Sequence, residues 1–269
     1  MPEIPDLEAI GGFLNRRLPG VRIERAQALI PVVFRTPKAE LESTLSGDTF
    51  GRATRRGKFL LIDLESDHKL VINPMLTGRF QYVAPEDKRR AKTCMALTLA
   101  DGHELRYSDD RLMGKVYLVP EGDLAQVPQF SEMGPDALDE ALTEEVFAQR
   151  LRRHNGMIKS ILVNHRFVAG IGNAYSDEIL WAAGLHPYRK RPTLSKEDVR
   201  RLYEAIHSVL DWAIAIVGER MKDELAYQEW RDHLRVHRRG GQSCPACGTR
   251  ISEITAGQRI TSFCRNCQK

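Results

Sequence analysis

Residues 157–187 read MIKSILVNHRFVAGIGNAYSDEILWAAGLHP, and this stretch decides the organisation of the C-terminal half of the chain. Apolar residues at helical spacing predict a short helix over residues 157–163 and a second helix over residues 173–183, which ends at Gly184. Residues 164–172 lie between the helices as a compact double turn. The glycines in AGIGN permit a tight turn directly before the second helix.

The turn before the second helix is a candidate anion site. Backbone N–H groups at the start of a helix can hold a phosphate together with the side-chain amide of Asn173. Lys159, in the preceding helix, could add a positive charge to the same site. A plain glycine-rich connection between two helices has the same pattern, since short glycine motifs often match by chance.

Two cysteine pairs near the end of the chain have the spacing of a zinc site. Cys244 and Cys247 form one C-x2-C pair, and Cys264 and Cys267 form a second after a gap of 16 residues. Four thiolates without an open position predict one structural Zn²⁺ that takes no part in catalysis. An incidental cluster or a redox pair is the alternative. The remaining cysteine, Cys94, is predicted to be a buried, inert thiol.

The segment around these cysteines is also basic. Arg250, Arg259 and Arg265 lie in or beside the predicted zinc finger. A metal-bound β-hairpin could therefore present a guanidinium group to a phosphate. By itself this pattern indicates nucleic-acid binding and no particular reaction.

The N-terminal half has a different texture. Residues 5–18 place apolar side chains at three-to-four spacing, which predicts an opening helix. Short apolar or alternating runs then follow to about residue 119, with a hairpin signal at Asp101-Gly102. These runs predict a β-sandwich or barrel that carries the opening helix. We expect domains at residues 1–126, 141–237 and 238–269, with residues 127–140 as a linker.

The composition is that of an ordinary globular protein, with 42% hydrophobic and 28% charged residues. This balance excludes a disordered chain, and no apolar run is long enough for a membrane span. The acidic start differs from a signal peptide, so we expect a cytoplasmic protein. A net charge of +4 weakly favours a polyanionic partner. Five basic runs could line one phosphate-facing surface or be separate solvated faces. They lie at residues 52–58, 88–92, 150–153, 188–191 and 235–239.

Residues 157–187 resemble the helix-two-turn-helix of the formamidopyrimidine-DNA glycosylase and endonuclease VIII family. Three other segments resemble signatures of that family, in its order and at its approximate spacing: MPEIPDLEAI, RRGKFLLIDL and GQRITSFCRNCQ. The resemblance covers the whole chain. It implies an α+β multidomain fold with an N-terminal β-sandwich and opening helix, a C-terminal helical domain with the helix-two-turn-helix, and a terminal zinc-finger β-hairpin.

The same resemblance implies a DNA glycosylase with abasic-site lyase activity in base excision repair. Pro2 matches the family's nucleophile, because removal of Met1 would leave a terminal secondary amine, and α-amino groups have a pKa near 8. Attack of this amine at C1′ of the nucleotide would form an iminium intermediate. Glu3 matches the acid that moves protons as the sugar opens. β,δ-Elimination of the sugar would follow.

Further roles are carried over position by position. Lys58 aligns with a β-hairpin lysine that contacts the adjacent phosphate and assists base loss. Asn173 and Arg259 match phosphate-gripping residues of the double turn and the zinc finger, and Lys159 is expected to join them. The catalytic residues implied by the resemblance are thus Pro2, Glu3, Lys58 and Arg259, and the predicted partner is double-stranded DNA with damaged bases or abasic sites, bound by a monomer at the bacterial nucleoid.

Two departures from the family pattern concern base recognition. Leu76, Arg111 and Met113 stand where the family fills the space left by an extruded base, and the stacking aromatic ring is missing. Leu76 and Met113 could instead simply close the core. Residues 218–233 are charged and could continue a helix where 8-oxoguanine enzymes carry a base-capping loop. Oxidised pyrimidines, ring-opened purines and bare abasic sites therefore stay open as substrates.

Two other functions compete with the glycosylase hypothesis. A non-catalytic DNA damage-binding relative would keep the zinc finger and the double turn, but it would have no need for Pro2 and Glu3. A zinc-ribbon transcription or translation factor would explain the cysteines alone. A variant with a blocked terminal amine distinguishes the enzyme from the binding protein.

Overall fold

A computed structural model describes residues 2–225, 229–256 and 259–269. The chain divides into two compact units. The first contains residues 2–131 together with Ile214–Glu229, and the second contains Glu132–Ala213 together with Trp230–Lys269.

Residues 238–269 lie in the second unit together with most of the helices, and residues 127–140 are divided between the two units, so both segments differ from the predicted domain boundaries. The predicted boundaries also assign all of residues 141–237 to one helical domain, whereas Ile214–Glu229 belongs to the unit of the N-terminal half. The physical reason is apolar burial, because Met221 and Leu225 line a cavity of that unit together with Phe80.

The described residues of the first unit form two four-stranded antiparallel sheets, in the orders β1-β6-β7-β5 and β2-β3-β4-β8. The predicted β-sandwich is therefore confirmed. Its core consists of strand residues that alternate inward, such as Leu97, Leu105, Ile62 and Ile72. The strands are β1 (Ile23–Ala28), β2 (Phe50–Arg56), β3 (Phe59–Leu64), β4 (His68–Asn73), β5 (Gly78–Val83), β6 (Thr93–Leu99), β7 (Glu104–Asp109) and β8 (Lys115–Pro120).

Helices α1 (Ile4–Arg17) and α2 (Lys38–Leu45) complete this unit, and α1 confirms the predicted opening helix. Helix α1 packs its apolar face, including Phe13 and Leu14, against β2 and β3. The side-chain amide of Asn15 accepts from Ala53 N at 2.7 Å and donates to Ala53 O at 2.8 Å. This pair of hydrogen bonds fixes the position of the helix on the sheet, since both polar groups of one strand residue are satisfied.

The second unit contains the helices of the C-terminal half, namely α3 (Glu144–Leu151), α4 (Ile158–Leu162), α5 (Asn173–Ala182) and the first part of α6 (Lys196–Arg220). The predicted double turn joins α4 to α5. Gly170 in this turn has φ +101°, a backbone conformation that only glycine adopts easily. Gly184 has φ +68° and ends the run after α5, as predicted.

Helix α6 is the predicted core helix, with Leu202, Ile206 and Val209 buried along one face. It ends at Arg220, so the expected continuation of the helix through residues 218–233 reaches only its first residues. Residues 226–228 of that stretch lie outside the described residues. The chain ends in a hairpin of β9 (Ser252–Ala256) and β10 (Arg259–Phe263). Among the described residues, no helix has the length and apolar character that crossing a bilayer requires.

Candidate functional site

Pro2 and Glu3 lie at the start of α1, and both are buried. Glu3 is the N-cap of the helix and forms a capping box with Asp6. In it the Glu3 backbone N–H donates to Asp6 Oδ2 at 2.8 Å. The capping box fixes the backbone directly after Pro2, so the local sequence itself orients the residue predicted as nucleophile.

Lys58 lies in a two-residue hairpin turn between β2 and β3. Arg56 pairs with Phe59 across the hairpin, and Gly57 takes φ +58° in the turn. Arg55 connects this turn to α1, because its side chain donates to Glu8 Oε1 at 2.7 Å and to Gly57 O at 3.1 Å. The position of Lys58 is therefore tied to the helix that begins beside Pro2.

A small cavity adjoins Pro2 within the first unit. Its lining includes Asp6, Arg79 and Glu229, and Arg79 donates to Glu229 Oε1 at 2.8 Å. The cavity volume is about 10 Å³, which is room for about one water molecule. This space is smaller than a nucleobase. The Arg79–Glu229 ion pair and apolar side chains form the wall next to Pro2.

Leu76, Arg111 and Met113 all lie on exposed tips of the sandwich. Leu76 is 37% exposed and Met113 is 40% exposed, so neither closes the core. Their loops precede β5 and β8. Two neighbouring tips thus present apolar side chains to solvent.

In the second unit, Asn173 is the first residue of α5 and faces the zinc-finger hairpin. Its side-chain amide donates to Ile260 O at 2.8 Å. An amide NH₂ has two hydrogens, so one more donor is left for a second acceptor. Arg259 lies one residue before Ile260 at the start of β10 and is exposed. The two residues predicted to grip phosphates are therefore neighbours across one hydrogen bond.

Lys159 is buried, and its ammonium group points into the protein. It donates to Asp177 Oδ1 at 2.6 Å, to Ile260 O at 3.0 Å and to Thr261 Oγ1 at 2.9 Å. An ammonium group has three hydrogens, and these contacts account for all three. In place of the phosphate contact that we predicted for Lys159, this geometry favours a role in holding β10 on the helices.

Asp177 and Glu178 anchor the segment that leads into the zinc finger. Asp177 Oδ2 lies 2.7 Å from His237 Nδ1 and accepts from Ser262 N at 3.1 Å. The Glu178 carboxyl accepts from the backbone N–H groups of residues 235, 236 and 237. Burial raises the pKa of Glu178, and the three backbone hydrogen bonds offset only part of that rise.

Replacing Lys159 with Met will destabilise the second unit by about 3–5 kcal/mol, because Asp177 is left buried without its cation. Chemical denaturation followed by tryptophan fluorescence measures the loss. Lys196→Met, at an exposed lysine of the same unit, is the matched control and is expected to change stability by less than about 0.5 kcal/mol. Unchanged stability with a salt slope of DNA binding lowered by about 1 would instead assign Lys159 to direct phosphate contact.

The four predicted zinc ligands come together at the base of the hairpin. The sulfur atoms of Cys244, Cys247, Cys264 and Cys267 all lie within 4.8 Å of one another. Tetrahedral zinc with Zn–S bonds of about 2.3 Å needs sulfur atoms about 3.8 Å apart, so the donor set fits this metal. Hydrogen bonds from Thr249 lower the pKa of Cys247 to about 5. Burial raises the pKa of Cys264, and the neighbouring Cys247 raises the pKa of Cys267. The site is closed and structural, as predicted.

Cys94 is fully buried in β6, as the sequence predicted. Its thiol donates to Lys92 O at 3.3 Å, and burial raises its pKa to about 11. This thiol is therefore protonated and inert at neutral pH.

The basic runs are partly used inside the protein. Arg89 pairs with Glu104, Arg150 donates to backbone carbonyl groups, and Arg235 stacks 4.2 Å from the Trp212 ring centroid. These arginines fix loops and helices. Each run therefore has fewer positive charges available for a phosphate backbone than its sequence suggests.

Three residues of the candidate site escaped sequence reasoning: Arg79 beside Pro2, Asp109 between the exposed tips, and Asp177 under the zinc finger. Each acts on residues far along the chain, at separations of 150, 32 and 18 positions respectively. The sequence contains one weak indication that Asp177 is buried. Asp177 and Glu178 are adjacent acidic residues in a helix whose neighbouring residues are apolar, so at least one of them must lie on a buried face.

Comparison with known families matches three segments. Residues 1–116 match the formamidopyrimidine-DNA glycosylase N-terminal domain, residues 133–224 match its H2TH domain, and residues 241–269 match a zinc finger found in FPG and IleRS. The match to the zinc-finger family agrees with the four-cysteine cluster.

Comparison with individual proteins gives full-length matches. The chain is 35% identical to the formamidopyrimidine-DNA glycosylase of Pelotomaculum thermopropionicum, over 100% of this chain and 99% of the relative. It is similar to Fpg of Lactococcus lactis in complex with DNA containing an abasic site, with a TM-score of 0.92 and 28% identity. It is equally similar to that protein bound to DNA containing N7-benzyl-Fapy-dG, with a TM-score of 0.91. Both structural matches cover all of each chain.

Proposed function

Since the chain belongs to the formamidopyrimidine-DNA glycosylase family, we propose that it excises oxidised bases from double-stranded DNA and then cleaves the strand at the resulting abasic site. The observation that carries this proposal is the placement of Pro2 and Glu3 at the capped start of α1. A damage-binding protein would have no use for this arrangement. We further propose that the protein acts as a monomer at the nucleoid, in a bacterial cytoplasm.

The reaction begins at the Pro2 nitrogen, which becomes a secondary amine when Met1 has been removed. Its lone pair attacks C1′ of the damaged nucleotide, the bond from C1′ to the base breaks, and the base leaves with the electron pair and takes up a proton. The sugar ring opens at O4′, and an iminium joins Pro2 to C1′. Glu3 donates the proton that O4′ requires.

Strand cleavage follows from the iminium. It acidifies the C2′ hydrogen, so loss of that proton expels the 3′ phosphate in the β-elimination. A second elimination expels the 5′ phosphate. Hydrolysis of the remaining iminium returns the free amine of Pro2.

The phosphate backbone is held by residues of both units. Lys58, fixed through Arg55, neutralises the phosphate next to the reacting sugar and assists base loss. Asn173 and Arg259 bind further phosphates, and Lys159 holds Ile260 between them. These contacts and the apolar tips at Leu76 and Met113 offset the cost of extruding a nucleotide, about a few kcal/mol.

The preferred lesion depends on the residues that surround the extruded nucleotide. Among the relatives, complexes with DNA that contains an abasic site, a Fapy-dG derivative or carbocyclic 8-oxo-G are known. Here the Arg79–Glu229 ion pair lines the space next to the nucleophile. Because residues 218–233 replace the base-capping loop of 8-oxoguanine enzymes, we expect the protein to process 8-oxoguanine less well than abasic sites, oxidised pyrimidines and ring-opened purines.

Borohydride trapping tests this function. The processed protein is incubated with duplexes that contain an abasic site, 8-oxoguanine or 5-hydroxyuracil, and sodium borohydride is added. Only an iminium is reduced to a stable bond, so we expect a covalent complex on a denaturing gel, with 8-oxoguanine giving the lowest yield. Tight binding without a covalent complex on any duplex would establish the damage-binding alternative instead.

A further inference from the structure

The loop that carries Leu76 and the loop that carries Met113 share one buried carboxylate. Asp109 is the last residue of β7 and is fully buried. Its Oδ1 accepts the hydroxyl of Thr77, which follows Leu76, and its Oδ2 accepts Gly114 N at 2.6 Å. One side chain thus bonds to the residue next to each exposed apolar tip.

A second contact closes the link between the loops. The Arg111 N–H lies 3.2 Å from Asp109 Oδ1 and 3.0 Å from the Thr77 hydroxyl oxygen. The Thr77 hydroxyl therefore donates to the Asp109 carboxylate and accepts from the Arg111 N–H, which belongs to the loop that carries Met113. The arrangement needs a hydroxyl group at residue 77, because no other functional group of that size both donates and accepts.

The backbone around this link is closely packed and takes sparsely populated conformations. Met75 and Leu112, one in each loop, have φ of +49° and +54°, which side chains other than glycine rarely adopt. A Cβ added at Gly78 would lie 2.4 Å from the Tyr107 hydroxyl oxygen, and one added at Gly114 would lie 1.9 Å from it. Strained backbone of this kind persists only where its surroundings hold it, as they do at functional sites.

We propose that Asp109 and Thr77 are positioning residues that make Leu76 and Met113 enter the duplex as one rigid wedge. This inference rests on the proposed function. Without the aromatic ring that stacks in other members, the wedge depends on two aliphatic side chains, whose separation must match the space left by the extruded base. A flexible pair of loops would have to be ordered at each insertion.

The test compares stacked with unstacked DNA. Thr77→Val removes the hydroxyl and keeps the shape, Thr77→Ser keeps the hydroxyl, and Asp109→Asn places a donor against the Gly114 N–H. On a duplex lesion we expect Thr77→Val and Asp109→Asn to lower kcat by about 10- to 100-fold, because extrusion needs the wedge. On a single-stranded abasic oligonucleotide, borohydride trapping by Thr77→Val should equal that of the unaltered protein.

Two further readouts complete the test. The fluorescence of 2-aminopurine placed opposite the lesion reports unstacking, and it should rise with the unaltered protein and Thr77→Ser but not with Thr77→Val. Equal losses on duplex and single-stranded DNA, or no loss on duplex, would overturn the proposal. If the unaltered protein traps neither substrate, the proposed function itself fails, which separates the two conclusions.

Discussion

One added glycine in front of Pro2 will abolish borohydride trapping and lower the rate of strand cleavage at an abasic site by at least ~10³-fold. The added residue converts the Pro2 nitrogen into an amide, whose lone pair is delocalised and cannot attack C1′, and it moves the terminal amine one residue, about 3.8 Å, away from that position. Binding of abasic-site DNA should change by no more than about threefold, because phosphate contacts supply most of the affinity. Single-turnover cleavage and filter binding on the same preparation measure the two quantities.

The control is Pro2→Gly without an added residue. It has a primary terminal amine at the same place in the chain, so it can still form an imine and should retain a weak trapped complex. Full activity of the protein with the added glycine would assign the attack to another amine. Lys58 would then be the first lysine to replace.

Loss of the zinc will weaken DNA binding by about 10- to 100-fold, either in Cys247→Ser or after treatment with a chelator. The metal holds the base of the β9–β10 hairpin, and this hairpin carries Arg259 and the Ile260 carbonyl group that meets Asn173. Without it, the geometry of the phosphate-binding residues is lost. Zinc content by mass spectrometry of the native protein and binding by fluorescence anisotropy should fall together.

Cys94→Ser is the matched control for this experiment, since Cys94 is a buried cysteine of the first unit. It should leave one zinc ion per chain and leave DNA affinity unchanged. If Cys247→Ser lost its zinc and bound DNA as before, the hairpin would not hold the phosphate-binding residues. Trapping on abasic DNA at saturating protein would then be unaffected as well.

The parts of the site that the sequence predicts are those encoded locally. The two C-x2-C pairs predict a metal site because each pair is a short turn with its own geometry. Pro2 and Glu3 are informative because the start of a helix is set by the first few residues, and the capping box with Asp6 lies within four positions. The double turn before Asn173 is similarly local, because Gly170 alone provides the positive φ.

The parts that the sequence does not predict depend on contacts between distant positions. Lys159 occurs in a segment where a phosphate contact is a natural expectation, yet its partners Ile260 and Thr261 are 101 and 102 positions away. Nothing in the residues around Lys159 indicates that three acceptors lie there. Thr77 and Asp109 are likewise 32 positions apart, and each alone is typical of an ordinary turn.

The periodic pattern of α6 predicts a buried helix correctly and still assigns its last residues, Ile214–Arg220, to the wrong unit. A helical repeat shows which face is apolar, but it contains no information on which unit covers that face. The division within α6 follows from burial of Met221 and Leu225 with the first unit. Domain boundaries predicted from the pattern of apolar residues alone therefore miss a helix that is shared between two units.

The Ile260 carbonyl oxygen accepts hydrogen bonds from both Asn173 and Lys159, and it belongs to the main chain. No side-chain replacement at position 260 deletes this acceptor, so mutational scanning reports only on the Ile260 side chain and leaves the contact unprobed. An ester bond in place of the amide between residues 260 and 261, made by chemical ligation, would weaken the acceptor and expose its contribution directly.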